Sequence, residues 1–237
     1  MIESAMVLAA GFGTRMRPIT DHTPKPLVSL AGRPLIDHAI DRLIAAGVKR
    51  VVVNTHYKAE MIHAHLQQRH DVAIAFSHET ELLDTGGGVK KALPLLGSSF
   101  FVLNSDVFWL NAKIPALARL AGAWDESRLD ALLLVQRTVT ALGYEGLGDF
   151  VVDPLGHVRR RGEREVAPHL FAGIEILSQR FFDGAPDGAF SLNKLWNRAI
   201  EADRLAALIH DGEWFHVGTP QGLAATEERL RLHGVWR

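Results

Sequence analysis

The feature that most constrains this chain is a repeat of short apolar runs and helix-spaced segments through residues 6–103. Residues 6–10 (Met6, Val7, Leu8, Ala9, Ala10) read as a buried strand. Segment 34–46 carries Leu35, Ile36, Ala39, Ile40, Leu43 and Ile44 at helical spacing, and Gly47 stops that helix. The alternation continues: strand 51–53, helix 59–68, strand 72–76, short helix 89–96, strand 100–103. Strand, helix, strand in repetition calls for a parallel sheet with helices on both faces. Apolar runs without alternation fit strands buried on both sides. From about residue 130 the pattern changes. Segments 131–135, 149–152 and 169–177 are strands separated by Gly, Pro and Asp turns, and 192–200 and 220–232 are later helices. The expected fold is α/β: three αβα layers around a central mixed, mostly parallel sheet, in one domain spanning 1–237.

Length and composition agree. A chain of 237 residues, 47% hydrophobic and 22% charged, suits one large soluble domain with a sizeable core. Twenty-six basic and 27 acidic residues leave almost no net charge. No nucleic-acid partner is expected, because a nucleic-acid binder usually shows a basic excess or stripe. Arg159, Arg160, Arg161 and Arg164 come nearest to one, but Glu163 and Glu165 dilute it. Two readings stand for that run: a solvated hairpin, or a phosphate-steering patch. The absence of cysteine excludes disulfides and thiolate metal sites. The first residues lack a basic start, and their apolar run is too short for an export signal. No stretch approaches the ~20 apolar residues of a membrane span. A cytoplasmic enzyme without membrane association is expected; the oligomeric state cannot be read.

Directly after the first strand comes Leu8-Ala9-Ala10-Gly11-Phe12-Gly13-Thr14-Arg15-Met16-Arg17-Pro18. In an open α/β sheet, ligands bind beyond the carboxyl ends of strands. Gly11 and Gly13 let backbone N–H groups approach an anion without a Cβ in the way. Arg15 adds a forked cation suited to phosphate oxygens. A Walker loop (GxxxxGK[ST]) is absent, and the dinucleotide fingerprint fails for want of its third Gly. Alone, the GxG turn fits either a phosphate loop or a plain tight turn. In Thr23-Pro24-Lys25-Pro26-Leu27, two prolines stiffen the backbone around Lys25. Such a lysine suits a phosphate, although a surface lysine in a loop has the same local sequence.

The pattern LAAGxGTRMxPxTxxxxKPLxxxxGxPLI, spanning Leu8 to Ile36, resembles the opening signature of sugar-nucleotide pyrophosphorylases, the sugar-1-phosphate nucleotidyltransferases with a Rossmann-like core. The resemblance implies that Leu8, Ala10, Gly11, Gly13, Thr14 and Arg15 bind the nucleotide and that Lys25 meets phosphate at the reacting centre. It also implies a nucleotide-binding half over about 1–110 and a sugar-binding half over about 111–237. The substrates would be a nucleoside triphosphate and a sugar 1-phosphate.

Further along, Glu79-Thr80-Glu81-Leu82-Leu83-Asp84-Thr85-Gly86-Gly87-Gly88-Val89 follows the third strand and opens a helix. Three glycines serve neither packing nor helix propensity, since each costs about 1 kcal/mol against Ala in a helix. They permit a flat ligand, or another backbone, to come close; a flexible loop is the plainer reading. The family resemblance makes Gly86 and Gly87 part of the base-binding loop. Strand 100–103 leads to Asn104-Ser105-Asp106. A carboxylate at the end of that strand is well placed for Mg²⁺, or for capping the next turn. The resemblance implies the metal role for Asp106.

The family's second metal ligand is an Asp in a late W-x-D-x-G-T segment. This chain has Trp214-Phe215-His216-Val217-Gly218-Thr219, with His216 where that Asp belongs. Imidazole is a poor Mg²⁺ ligand and suits Mn²⁺ better. His216 either binds metal, bonds a phosphate or water beside it, or leaves Asp106 to act alone. Sugar-binding candidates by resemblance are Asp149, Gly173, Glu175 and Asn193. Asp149 fits a turn cap equally well, and Glu175 a solvent-facing strand position. Ser191 fits the N-cap of the helix that follows, with Lys194 also near the sugar phosphate.

The resemblance extends over nearly the whole chain to the compact bacterial members that use UTP and N-acetylmuramic acid 1-phosphate. Short mannose-1-phosphate guanylyltransferases using GTP look similar. Two other classes also fit parts of the sequence: a non-catalytic nucleotide-sugar sensor, favoured only by His216, and an NAD(P)-dependent oxidoreductase, favoured only by the opening GxG turn.

Overall fold

A computed structural model describes residues 1–234. In chain order the elements are β1 (Ser4–Leu8), β2 (Ser29–Leu30), β3 (Arg33–Pro34), α1 (Leu35–Ala45), β4 (Arg50–Thr55), α2 (Ala59–Leu66), β5 (Ala73–His78), α3 (Asp84–Ala92), β6 (Ser99–Asn104) and β7 (Val107–Leu110). Then follow α4 (Ala116–Ala123), β8 (Ala131–Arg137), β9 (Phe150–Val152), β10 (Val158–Arg160), β11 (His169–Ser178), α5 (Asn193–Glu201), β12 (Leu205–Ile209), β13 (Glu213–His216) and α6 (Pro220–Leu232).

A nine-stranded sheet forms the middle layer. β5, β4, β1 and β6 pair in parallel; β11 then runs antiparallel to both β6 and β8; β12 joins β8 in parallel. The β9–β10 hairpin attaches at the start of β11. β11 and β10 run against the other seven strands, which makes the sheet mixed and mostly parallel, as expected. It also brings the carboxyl ends of β1, β4, β5 and β6 to one edge, where a ligand is expected.

Alternate residues of each strand feed two cores. Ala5 and Val7 of β1, Val51 and Val53 of β4 and Leu103 of β6 face α1, α2 and α4, through Ile36, Ile40, Leu43, Ile62 and Leu120. Met6, Val52, Phe100 and Val102 face α3 and α5, through Val89, Ala92, Leu195 and Ala199. Each such fully buried aliphatic side chain contributes about 1.5–3 kcal/mol of transfer free energy. A third cluster pins Met16, in the loop after β1, against Phe108, Phe215 and Leu230.

Boundaries move where side chains take over backbone partners. β1 ends at Leu8 rather than at residue 10, because the Ala9 N–H donates to Asn54 Oδ1 at 2.7 Å. α1 ends as expected: Gly47 takes φ 89°, and Val48 N–H donates back to the Leu43 carbonyl. The expected helix 89–96 instead runs from Asp84 to Ala92, with a 3₁₀ turn at Leu93–Leu95. All three glycines therefore lie inside α3, and the reading that they do not serve packing is corrected. A Cβ on Gly86 would stand 2.3 Å from the Phe190 ring, on Gly87 2.3 Å from the Gly188 carbonyl oxygen, and on Gly88 2.7 Å from Glu79 Oε1. The approach of another backbone, also expected, is what Gly87 permits. Ser191 is not the N-cap of α5. Leu192 is, and Ser191 accepts from the Asn193 N–H one position on.

Candidate active site

The loop leaving β1 turns at Gly13, whose φ is 64°. A side chain there would also press to 3.0 Å on the Cβ of Lys25 and Cγ2 of Thr20. Glycine is thus required on two counts. Thr20 Oγ1 fastens the turn by donating to the Gly13 carbonyl at 2.8 Å. Nothing lies within 4 Å of a Cβ built on Gly11, which faces open space. Thr14–Met16 then form a 3₁₀ turn, and the N–H groups at such a start lack partners within the turn.

Lys25 begins a second 3₁₀ turn between its two prolines, locked by Val28 N–H to the Lys25 carbonyl at 3.0 Å. Its side chain is buried, and Nζ donates to Asp106 Oδ2 at 2.7 Å. Asp106 sits in the turn from β6 to β7, and its carbonyl accepts from Val217 N–H at 3.0 Å. That bond, with the pairing of Val107 to His216, draws the end of β13 alongside. His216 Nε2 lies 3.8 Å from Asp106 Oδ2, a charge contact rather than a hydrogen bond. The ring fits because residue 218 is glycine: a Cβ there would stand 2.3 Å from Nε2. Burial alone would raise the Asp106 carboxyl, but Lys25 and His216 outweigh it and hold it well below the ordinary carboxylate range. Asp106 is an anion at any physiological pH and remains 22% exposed.

Lys25 and Asp106, but not His216, line one cavity of about 520 Å³, within the usual span of small-molecule sites. Leu8, Ala10, Gly11, Gly13, Thr14, Arg15, Lys25 and Asp106 all line it, so most of the nucleotide candidates and all three catalytic candidates meet at one place. Gly86 and Gly87 do not line it. Their N–H groups donate to the Phe190 carbonyl at 2.8 and 3.1 Å, and their neighbours Asp84 and Thr85 face the cavity. The far wall contains two residues that sequence reasoning missed, Asn54 and Glu79. Asn54 Nδ2 donates to Glu79 Oε1 at 2.7 Å, and Leu83 N–H donates to Oε2 at 3.0 Å. Each carboxylate oxygen keeps a further lone pair with which to accept an N–H from a flat heterocycle. The available signal was Asn54 closing a strand at the ligand edge; for Glu79, 25 residues later, pairing with it depends on the fold.

A smaller cavity of about 270 Å³ adjoins, sharing Asp84, Thr85 and Asn104 with the first. Asp149, Phe171, Ser191, Asn193 and Trp196 complete it. Asp149 both lines the cavity and holds structure, since Oδ2 accepts from Phe171 N–H at 2.9 Å. Gly173 takes φ 75° at a β-bulge, where a Cβ would press on Val107 and Asn104. Its service is to seat Asn104, a third residue missed from sequence. Glu175 neither faces solvent nor reaches the cavity. It is 1% exposed, accepts from Trp196 Nε1 at 2.9 Å, and burial pushes its carboxyl up to about 8.

Asp106, with one oxygen engaged by Lys25, presents the donor a hard divalent cation needs. Among the described residues no group of three or more His, Asp or Glu side chains is gathered around a metal position. One carboxylate fits a cation that takes its other ligands from phosphates and water. Among the described residues no helix is long and apolar enough to cross a membrane.

A sequence profile described as nucleotidyl transferase matches residues 4–144. The N-acetylmuramate alpha-1-phosphate uridylyltransferase of Caulobacter vibrioides is 43% identical over 95% of this chain and 96% of its own length. A mannose-1-phosphate guanyltransferase of Gibberella zeae is 45% identical over 91% of this chain but 61% of its own. Among solved structures, a UDP-glucose pyrophosphorylase complexed with UDP-glucose superposes with a TM-score of 0.81 over 98% of this chain and 100% of that one, at 15% identity. That likeness establishes the shared fold.

Proposed function

The chain belongs to the nucleotidyl transferase family, and from that premise we propose that it transfers a uridylyl group from UTP to N-acetylmuramic acid 1-phosphate, releasing pyrophosphate. The observation that carries this reading is the convergence of Arg15, Lys25 and Asp106 on one cavity, with a second cavity beside it. The triphosphate lies along Gly11–Arg15, the base against Asn54 and Glu79, and the sugar in the smaller cavity. Residues 1–110 supply the nucleotide half and residues 111–237 the sugar half. Similarity to the Caulobacter uridylyltransferase over nearly both full lengths supports the choice of substrates.

The sugar phosphate is its own nucleophile. Its second pKa is near 6, so at neutral pH an oxygen is already deprotonated and no strong base is required. That oxygen forms the new bond to the α-phosphorus as the bond to the pyrophosphate oxygen breaks. Lys25 and Arg15 offset the charge on the equatorial and leaving oxygens, while the two cavities hold the reactants in line. Asp106 would hold Mg²⁺, with His216 beside it; the ion, when bound, would supply positive charge to offset that of the phosphates. Lys25, already paired with Asp106, keeps the carboxylate oriented and ionised. Mn²⁺ would substitute in a site with an imidazole near. The activity is placed in the cytoplasm.

A panel crossing UTP, GTP, dTTP and CTP with the 1-phosphates of N-acetylmuramic acid, N-acetylglucosamine, mannose and glucose tests this, with products read by mass. UTP and N-acetylmuramic acid 1-phosphate are expected to give the highest rate. A preference for GTP and mannose 1-phosphate would replace this substrate pair with the second reading, which the Gibberella relative favours. Binding of nucleotide without pyrophosphate from any pair would make the protein a sensor.

A further inference from the structure

The arginine run Arg159-Arg160-Arg161 lies on β10 and just past it. Side chains alternate across a strand, so Arg160 leaves on the opposite face from its neighbours. Arg159 makes a two-pronged pair with Glu165, at 2.7 and 2.8 Å. Arg161 Nη1 is spent on the carbonyls of Gly162, Glu163 and Glu165. Both close the hairpin on itself, as the solvated-hairpin reading expects. Arg160 instead lies with its guanidinium carbon 4.7 Å from the Phe150 ring centre and 5.5 Å from that of Trp196. Nε donates to Asn197 Oδ1 at 2.8 Å and Nη2 to Asn193 Oδ1 at 2.7 Å. Among the described residues, Nη1 meets no acceptor.

This side chain is half-buried, and burial lowers its basicity without reaching the point where a guanidinium gives up its charge. The fold thus holds a cation on two aromatic faces and leaves one edge uncommitted. Its partners Asn193 and Trp196 line the smaller cavity and not the larger one, and Arg160 adjoins that lining through them without itself being part of it. The phosphate of a sugar 1-phosphate must approach the other side, where Asn104 joins the two cavities and Asp106 and Lys25 stand. An anion met by Arg160 is therefore carried by the sugar itself, away from its anomeric position. We infer that Arg160 is a specificity-determining residue that binds a carboxylate borne on the sugar ring, so that the cavity selects acidic sugar 1-phosphates over neutral ones. This rests on the sugar-transferase reading above and adds the group that makes the choice. A forked hydrogen-bonding cation matches a carboxylate in a way a lysine does not.

The test compares N-acetylmuramic acid 1-phosphate with N-acetylglucosamine 1-phosphate, which lacks only the carboxylate-bearing ether, at saturating UTP. In the wild type the acidic sugar has the higher kcat/KM. Arg160→Gln is expected to lower the ratio of the two kcat/KM values by about 10–100-fold, the range for losing a hydrogen bond to a charged group. Arg160→Lys is expected to recover part of it. The ratio is taken within one protein sample, so partial unfolding of a variant cancels. Equal loss for both sugars in Arg160→Gln would overturn the inference, because it would mean that Arg160 serves the shared phosphate or the fold. Equal wild-type rates for both sugars would also overturn it, while leaving the transferase reading intact. Absence of pyrophosphate with either sugar would instead defeat the reading on which it rests.

Discussion

Replacing Glu175 by Gln tests the packing beneath the smaller cavity. Burial holds the carboxyl of Glu175 protonated up to about pH 8, against an ordinary value of 4.5. Below pH 4.5 the group is neutral in the folded and unfolded chains alike, and it costs nothing. Between 4.5 and 8 the unfolded chain ionises while the folded one does not, so folded stability falls as pH rises. At ~1.4 kcal/mol per pH unit this interval amounts to about 5 kcal/mol, an upper bound. The Gln side chain keeps the acceptor for Trp196 Nε1 and does not titrate. At pH 5 the variant should match the wild type within about 1 kcal/mol, the scale of one neutral hydrogen bond. By pH 9 it should be more stable by several kcal/mol, or about 10 °C in Tm at ~2–4 °C per kcal/mol for a domain of this size. Urea unfolding at pH 5, 7 and 9 measures the difference. A wild type and variant whose stabilities run parallel across that range would refute the claim that Glu175 is buried and neutral.

Two further substitutions probe the packing of α3 and the wall of the larger cavity. Gly86→Ala gains up to about 1 kcal/mol of helix propensity but drives a Cβ to 2.3 Å from the Phe190 ring and 2.8 Å from its carbonyl oxygen. A net loss of about 1–3 kcal/mol is expected from overpacking, measured by urea midpoint; a more stable variant would show the glycine is not needed for packing. Asn54→Ala strips a partner from the Ala9 N–H and from Glu79. It should cost about 1–3 kcal/mol of stability and weaken UTP binding by calorimetry, whereas unchanged UTP affinity would remove Asn54 and Glu79 from the base site.

Much of the first half of the chain was legible because its elements are local. The apolar runs and helix spacings between Met6 and Leu103 give the alternating order directly, and Gly47 ends α1 where a left-handed residue is required. The later part was less so. β7 and β13 pair across a separation no periodicity encodes, with Val107 beside His216 and Leu110 beside Glu213, and neither strand was foreseen. α4 and β12 were also missed: they are short, and their burial depends on β8 and β11 being in place. The cavity residues follow the same division. Gly11, Gly13, Arg15 and Lys25 sit in one contiguous motif, whereas Asn54, Glu79 and Asn104 reach the cavity only through parallel strand ends brought to one edge. Glu175 was misplaced because a strand buried on both faces offers no polar side for its charge. The glycines of α3 were misread because the reason for Gly86 and Gly87 lies in Phe190 and Gly188, about a hundred residues away in sequence, and that for Gly88 in the Glu79 side chain, which only the fold brings against it.

The central claim is that Lys25, Arg15 and Asp106 act on one triphosphate. Pyrophosphate release from UTP and N-acetylmuramic acid 1-phosphate, compared between the wild type and a folded Lys25→Ala variant, tests it most directly. The account predicts steady release by the wild type and a fall of about 10²–10³-fold in the variant, the usual loss when one charge-stabilising group is removed. Release at the wild-type rate by Lys25→Ala would contradict it.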